Sequence, residues 1–132
     1  VVEYPVSHFA DFRHHRRHVQ FCACSFSELR HLLLQAWQRQ LPALVIVMHP
    51  FELIRKDPQL SAQGLALPVH SYIRRFEKLC QFLGENRDRF HTRHFRDLTV
   101  DRALAPASDR QLESNGLRTV GRMAEQAVAR LW

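Results

Sequence analysis

The segment Leu44-Val45-Ile46-Val47-Met48 constrains the fold more than any other. It has no polar position at all, and its centre is three β-branched residues. A run apolar on both faces and bounded by Pro42 and Pro50 predicts a buried strand of a parallel sheet. His49 stands at its end, directly before Pro50, and proline keeps its predecessor out of the α region. In parallel α/β barrels the C-terminal ends of the strands form the active-site face. An imidazole there, on low-dielectric walls, is a candidate for proton transfer.

The flanking pattern completes an alternation of strands and helices. Residues 1–6 predict a strand, followed by a polar basic loop over 7–20 and a short extended piece from Phe21 to Ser25. Ser25-Phe26-Ser27-Glu28 is a capping box. Behind it Leu29, Leu32, Leu33, Ala36 and Trp37 recur at helical spacing, so residues 26–40 predict a helix with a buried stripe that Pro42 stops. Residues 50–68, with Pro50, Pro58, Gly64 and Pro68, predict a long connection. A second helix follows over 69–83, with Ile73, Phe76, Leu79, Cys80 and Leu83 inward, Arg74, Arg75, Lys78 and Gln81 outward, and Gly84 as its stop. Residues 89–92 predict a third strand, then a helical turn through Leu98. After a loop at Pro106, a final amphipathic helix carries Leu117, Val120, Met123, Ala124, Ala127, Val128 and Leu131.

Such an order builds a parallel sheet with right-handed crossovers. Three strands cannot close a barrel, so the expected class is α/β, the C-terminal portion of a larger barrel with parallel strands alternating with helices. The 132 residues, 45% of them hydrophobic, suit one partial domain, with 99–132 as a C-terminal helical extension. The opening residues read as a strand and not as a leader, so the chain is expected to be soluble and to begin inside a larger domain. No apolar run approaches a membrane span.

Charge and cysteine content narrow the functional classes. The net charge is +6, with nine histidines besides. It is clustered in Arg13–His18 and again from Arg87 to Arg96, which permits polyanion partners. Three cysteines, Cys22, Cys24 and Cys80, argue against a secreted disulfide framework and for a reducing, cytoplasmic setting, with the cell envelope or periplasm also compatible. His14 and His18 have metal-ligand spacing, but Arg13, Arg16 and Arg17 around them oppose cation binding, and a solvated loop is the expectation. Glu52, three residues beyond His49, either orients the imidazole or caps the following turn. There is no glycine-rich phosphate loop and no nucleophile elbow.

Three stretches also carry a resemblance. Glu3-Tyr4-Pro5-Val6, Cys24-Ser25-Phe26-Ser27-Glu28 and Val45-Ile46-Val47-Met48-His49-Pro50-Phe51-Glu52-Leu53 together resemble the polysaccharide deacetylase (NodB-homology) family, of the carbohydrate esterase family 4 type. Arg75-Phe76-Glu77-Lys78-Leu79, Asn86 and Phe90-x-Thr92-x-x-Phe95-x-x-Leu98 continue it. The likeness covers about residues 1–98 and corresponds to the second half of a family domain. It implies a distorted (β/α)7 barrel and metal-dependent removal of N- or O-acetyl groups from a polysaccharide. A divalent metal, zinc above all, lowers the pKa of bound water and polarises the acetyl carbonyl in that family.

A late-strand histidine protonates the departing amine or alkoxide, and the family's leucine-x-histidine motif maps onto Val47-Met48-His49. The resemblance thus assigns His49 as general acid, Val47 as a shortened apolar wall for the acetyl group, and Glu3 as an acidic residue beside the substrate. The paired aspartates and the His-x-x-x-His metal motif belong to the half that is absent here, so no metal ligand is expected in this chain. The implied partners are an acetylated polysaccharide, the missing N-terminal half and, to cover an open sheet edge, a second copy. This chain alone is then expected to be incomplete and inactive. The alternative is a non-enzymatic basic domain that binds nucleic acid or an anionic polysaccharide through Arg13–His18 and Arg87–Arg96.

Overall fold

The computed structural model describes residues 3–12, 15–56, 65–98 and 111–131. Its best-determined element by local chemistry is helix α1, Phe26–Gln38, which begins where the capping box places it. Ser25 Oγ accepts the Glu28 N–H and Glu28 Oε2 accepts the Ser25 N–H, each at 3.1 Å. Leu29, Leu32, Leu33 and Ala36 are buried as their spacing predicts. Trp37 departs from the stripe, 47% exposed beneath the Arg89 guanidinium. The helix stops before Pro42 is reached, and Gln40 takes a left-handed φ of 51°.

The strands are shorter than the sequence predicts and lie elsewhere. Glu3–Ser7 is not a strand, and residues 1–2 lie outside the described residues. The basic stretch predicted as a loop is instead a hairpin, β1 (His8–Ala10) antiparallel to β2 (Arg16–His18), with His8 opposite His18. Phe9 and Ala10 are buried, so two apolar residues among charges suffice to seat it on the core. The predicted extended piece after it is a series of turns. Within 50–68, a 3-10 helix (Pro50–Leu53) leads into a second antiparallel hairpin, β3 (Ile54–Lys56) with β4 (Ala66–Pro68); Pro58 and Gly64 lie outside the described residues.

Helix α2 spans His70–Glu85 and incorporates Gly84, which was expected to end it. Its inward face is Tyr72, Arg75, Leu79 and Phe82, a rotation that leaves Phe76 and Cys80 exposed and buries Arg75. Residues 89–92 form no strand, and a 3-10 turn, Phe95–Asp97, precedes Leu98. Strand β5 (Leu112–Glu113) pairs parallel to β1 and feeds helix α3, Gly116–Leu131. Pro106 lies outside the described residues.

The chain is therefore mixed α/β, with a three-stranded sheet ordered β2-β1-β5 and a separate two-stranded one. The apolar segment Leu44–Met48 is half-buried and not fully buried. Its pairing is parallel, as expected, through one bridge between Gln20 and Val47. Val47 N–H donates to the Val19 carbonyl at 3.1 Å, and Phe21 N–H donates to the Val47 carbonyl at 2.9 Å. Leu44, Ile46 and Met48 make no backbone hydrogen bond among the described residues, leaving that edge open. Phe9, Val19, Phe21, Cys24, Leu29, Leu32 and Leu112 fill the core between α1 and the sheet.

Candidate functional site

The apolar segment delivers His49 to the surface with an extended backbone, φ −113° and ψ 133°. Its ring is exposed and stacks on Phe51, centroids 5.0 Å apart and planes 7° from parallel. The Glu52 N–H donates to the His49 backbone carbonyl at 3.0 Å, opening the 3-10 helix that follows. Glu52 caps the turn by geometry: Oε2 accepts the His49 backbone N–H at 3.3 Å.

Glu52 Oε1 gathers two further donors, Gln20 Nε2 at 3.2 Å and the Cys22 thiol at 3.1 Å. Desolvation raises the pKa of this carboxyl, but the hydrogen bonds from Cys22, His49 N–H and Gln20, with the His49 charge beside it, outweigh that and hold it below its ordinary value. The same contact works in reverse on the thiol. Burial first, then the hydrogen bond and charge of Glu52, push Cys22 up to about 11. Cys22 is thus a donor that stays protonated, and it ties the turn after Gln20 to the turn after His49.

Below this loop lies the buried guanidinium of Arg75. Its Nη1 donates to the carbonyls of Phe21 at 3.1 Å and Cys22 at 3.2 Å, while Nη2 pairs with Glu125 at 3.1 Å. Its face rests on Tyr72, 5.0 Å from the ring centroid. Arg75 therefore holds α2, α3 and the Phe21–Cys22 turn in one register. Sequence periodicity misses it, because a long charged residue among Arg74, Glu77 and Lys78 reads as solvent-facing. Its three-residue offset from Tyr72 and four-residue offset from Leu79 is the signal that could have found it.

A cavity of about 950 Å³ opens beside Arg75, between α2, α3 and the Pro50–Lys56 segment. Glu52 is on its wall, so the carboxylate that fixes the His49 backbone also borders this space. A second cavity of about 920 Å³ lies at the opposite end of the apolar segment, against Trp37, Leu44 and Phe90. His49, Val47 and Glu3 line neither. Val47 sits at the parallel bridge, and Glu3 is exposed. The structure groups His49 with Glu52, Gln20 and Cys22, and does not bring Glu3 to them.

The remaining candidates resolve differently. Among the described residues no group of three or more His, Cys, Asp or Glu side chains could hold a metal ion, so these residues do not fit the divalent metal the resemblance implies. His14 lies outside the described residues, and His18 faces His8 edge-on at 4.4 Å. Burial, then His18 and Arg16, lower the His8 pKa from its ordinary value. Of Phe9, Phe12 and Phe21, spaced among basic residues, Phe9 and Phe21 are fully buried and offer no stacking face to a nucleic acid, while Phe12 is 45% exposed. All three cysteines are free. No described helix is long and apolar enough to cross a membrane. Compared with known proteins, the chain matches no family model, no curated protein and no solved structure.

Proposed function

We propose that this chain is the C-terminal part of a metal-dependent carbohydrate deacetylase of barrel type, with His49 as its general acid. The observation that carries the reading is the presentation of His49. An apolar parallel-paired segment ends in an exposed imidazole, with its backbone extended by Pro50 and pinned by Glu52. The ring is exposed, so it can donate a proton outward. In the proposed step the imidazolium gives that proton to the amine or alkoxide as its bond to the acetyl carbon breaks, and the ring is left neutral.

Val47 supplies the apolar wall in this reading, and the ion and the base come from an N-terminal half of the domain. The open edge at Ile46 supports that reading, because a parallel-stranded barrel requires a neighbour there. By itself the chain would be inactive.

In the longer protein, His49→Ala is expected to lower turnover of an acetylated sugar by about 10²–10⁴. Turnover equal to that of the parent protein removes the assignment.

A further inference from the structure

We propose that the cavity between α2, α3 and the Pro50–Lys56 segment binds a carboxylate-bearing sugar chain. The choice of a sugar rests on the deacetylase reading; the choice of an acidic one rests on the charges that line the space.

Two carboxylates and four permanent cations border this cavity, and they do not cancel. Glu125 is taken by Arg75 at 3.1 Å. Glu52 is hydrogen-bonded by Cys22, Gln20 and the His49 N–H, neutral donors that leave its negative charge in place. Against that one remaining negative charge stand Arg55, Arg74 and Lys78, none of which forms an ion pair among the described residues. Four cations against two carboxylates leave an excess of two positive charges around one concave space, which raises the local concentration of anions, and low-dielectric walls strengthen the effect. Guanidinium groups such as Arg55 and Arg74 suit the planar, two-oxygen geometry of a carboxylate.

The rest of the wall fits a saccharide better than a nucleic acid. Single-stranded nucleic acid needs free aromatic faces for its bases. Of the three aromatic rings here, Tyr72 is engaged by the Arg75 guanidinium at 5.0 Å and Phe26 edge-on by Phe82 at 6.4 Å, and the third is the small His70 imidazole. Pro68 and Val69 add apolar surface of the kind that the C–H face of a sugar ring covers. The volume, about 950 Å³, accommodates a short oligosaccharide.

The test is calorimetric titration of the chain with a tetramer of galacturonate, its fully methyl-esterified counterpart and a four-base oligothymidylate. The uronate is expected to bind at least tenfold more tightly than the neutral ester, and more weakly as salt rises. Arg74→Glu with Lys78→Glu should remove at least tenfold of that affinity, whereas Arg74→Lys should retain most of it. Both positions are exposed, and an unchanged melting curve confirms folding. Equal affinity for uronate and ester, absence of binding, or tighter binding of the oligonucleotide each overturns the inference. The two readings fail separately. Loss of turnover in His49→Ala without uronate preference sinks this one alone. Charge-dependent uronate binding with full turnover in His49→Ala sinks the catalytic assignment alone.

Discussion

Glu28 and Glu52 occupy the same local position, three residues into a helical turn, and each accepts the backbone N–H of the residue before that turn. Their surroundings are opposite. Glu28 is fully buried, and besides Ser25 it takes the Ser114 hydroxyl at 3.2 Å and faces Arg122 at 3.3 Å. Arg122 Nε is close enough for an ion pair but not aligned for a hydrogen bond, so the contact is mainly Coulombic. Glu52 is half-buried at a cavity wall, and its donors are a thiol, an amide and a backbone N–H. One carboxylate bolts α3 to α1 in a dry interior; the other sets the shape of a surface loop. Removing a partner from a buried charge pair leaves an uncompensated ion, a penalty that solvent largely relieves at the surface.

The largest expected effect follows directly. Glu28→Gln should destabilise the fold by about 3–5 kcal/mol in urea unfolding, because Arg122 is left buried beside a neutral amide. Glu52→Gln should change stability by less than about 1 kcal/mol. Similar losses at both sites would erase the contrast.

Arg75→Met comes next, at about 1–3 kcal/mol, since the Phe21 and Cys22 carbonyls lose their donor and Glu125 its partner. It should also raise hydrogen exchange in the Phe21–Cys24 turn. An unaltered exchange pattern would mean that the guanidinium does not hold that turn.

Thiol chemistry separates the regions more finely. Burial, with Glu28 nearby, pushes Cys24 up to about 11, close to Cys22, while Cys80 is exposed. Alkylation at pH 8 should therefore modify Cys80 first and Cys24 last. Glu52→Gln should accelerate Cys22 several-fold and leave Cys24 unchanged; acceleration of both would show that the two clusters are coupled.

The smallest effect is on pH dependence. Burial is the main cause lowering the pKa of His8 and of His31, so the unfolded chain binds more protons than the fold as pH falls through the usual histidine value of 6.5. Stability is accordingly full above about 6.5 and declines below it. His8→Gln with His31→Gln should flatten the fall in melting temperature between pH 7 and 5; an equally steep fall in the double variant would assign it to other groups.

Legibility in the sequence tracks how local each interaction is. The Ser25–Glu28 box and the α1 stripe needed only neighbours within a turn or two, and they stand where the residues place them. The extended conformation of His49 was equally readable, because Pro50 enforces it. The β1–β2 hairpin was not, since His8–Ala10 and Arg16–His18 show no alternating pattern and gain their register from Phe9 entering a core built by α1. The loop cluster around Glu52 joins residues 30 and 32 positions apart, a distance over which periodicity carries no information.

The final helix makes the same point from the other side. Its existence was plain from spacing, yet Leu117, Val120 and Met123 are 85%, 61% and 54% exposed while Thr119 and Arg122 turn inward. A fully buried carboxylate on α1 would be an uncompensated charge without a cation, and turning Arg122 inward avoids that penalty. By itself, then, the sequence determined where the first helix starts, the extended backbone that Pro50 imposes on His49, and which residue stands at the end of the apolar segment. Tertiary structure alone decided which polar side chains are enclosed, because burying a charge depends on a partner that no stretch of sequence supplies on its own.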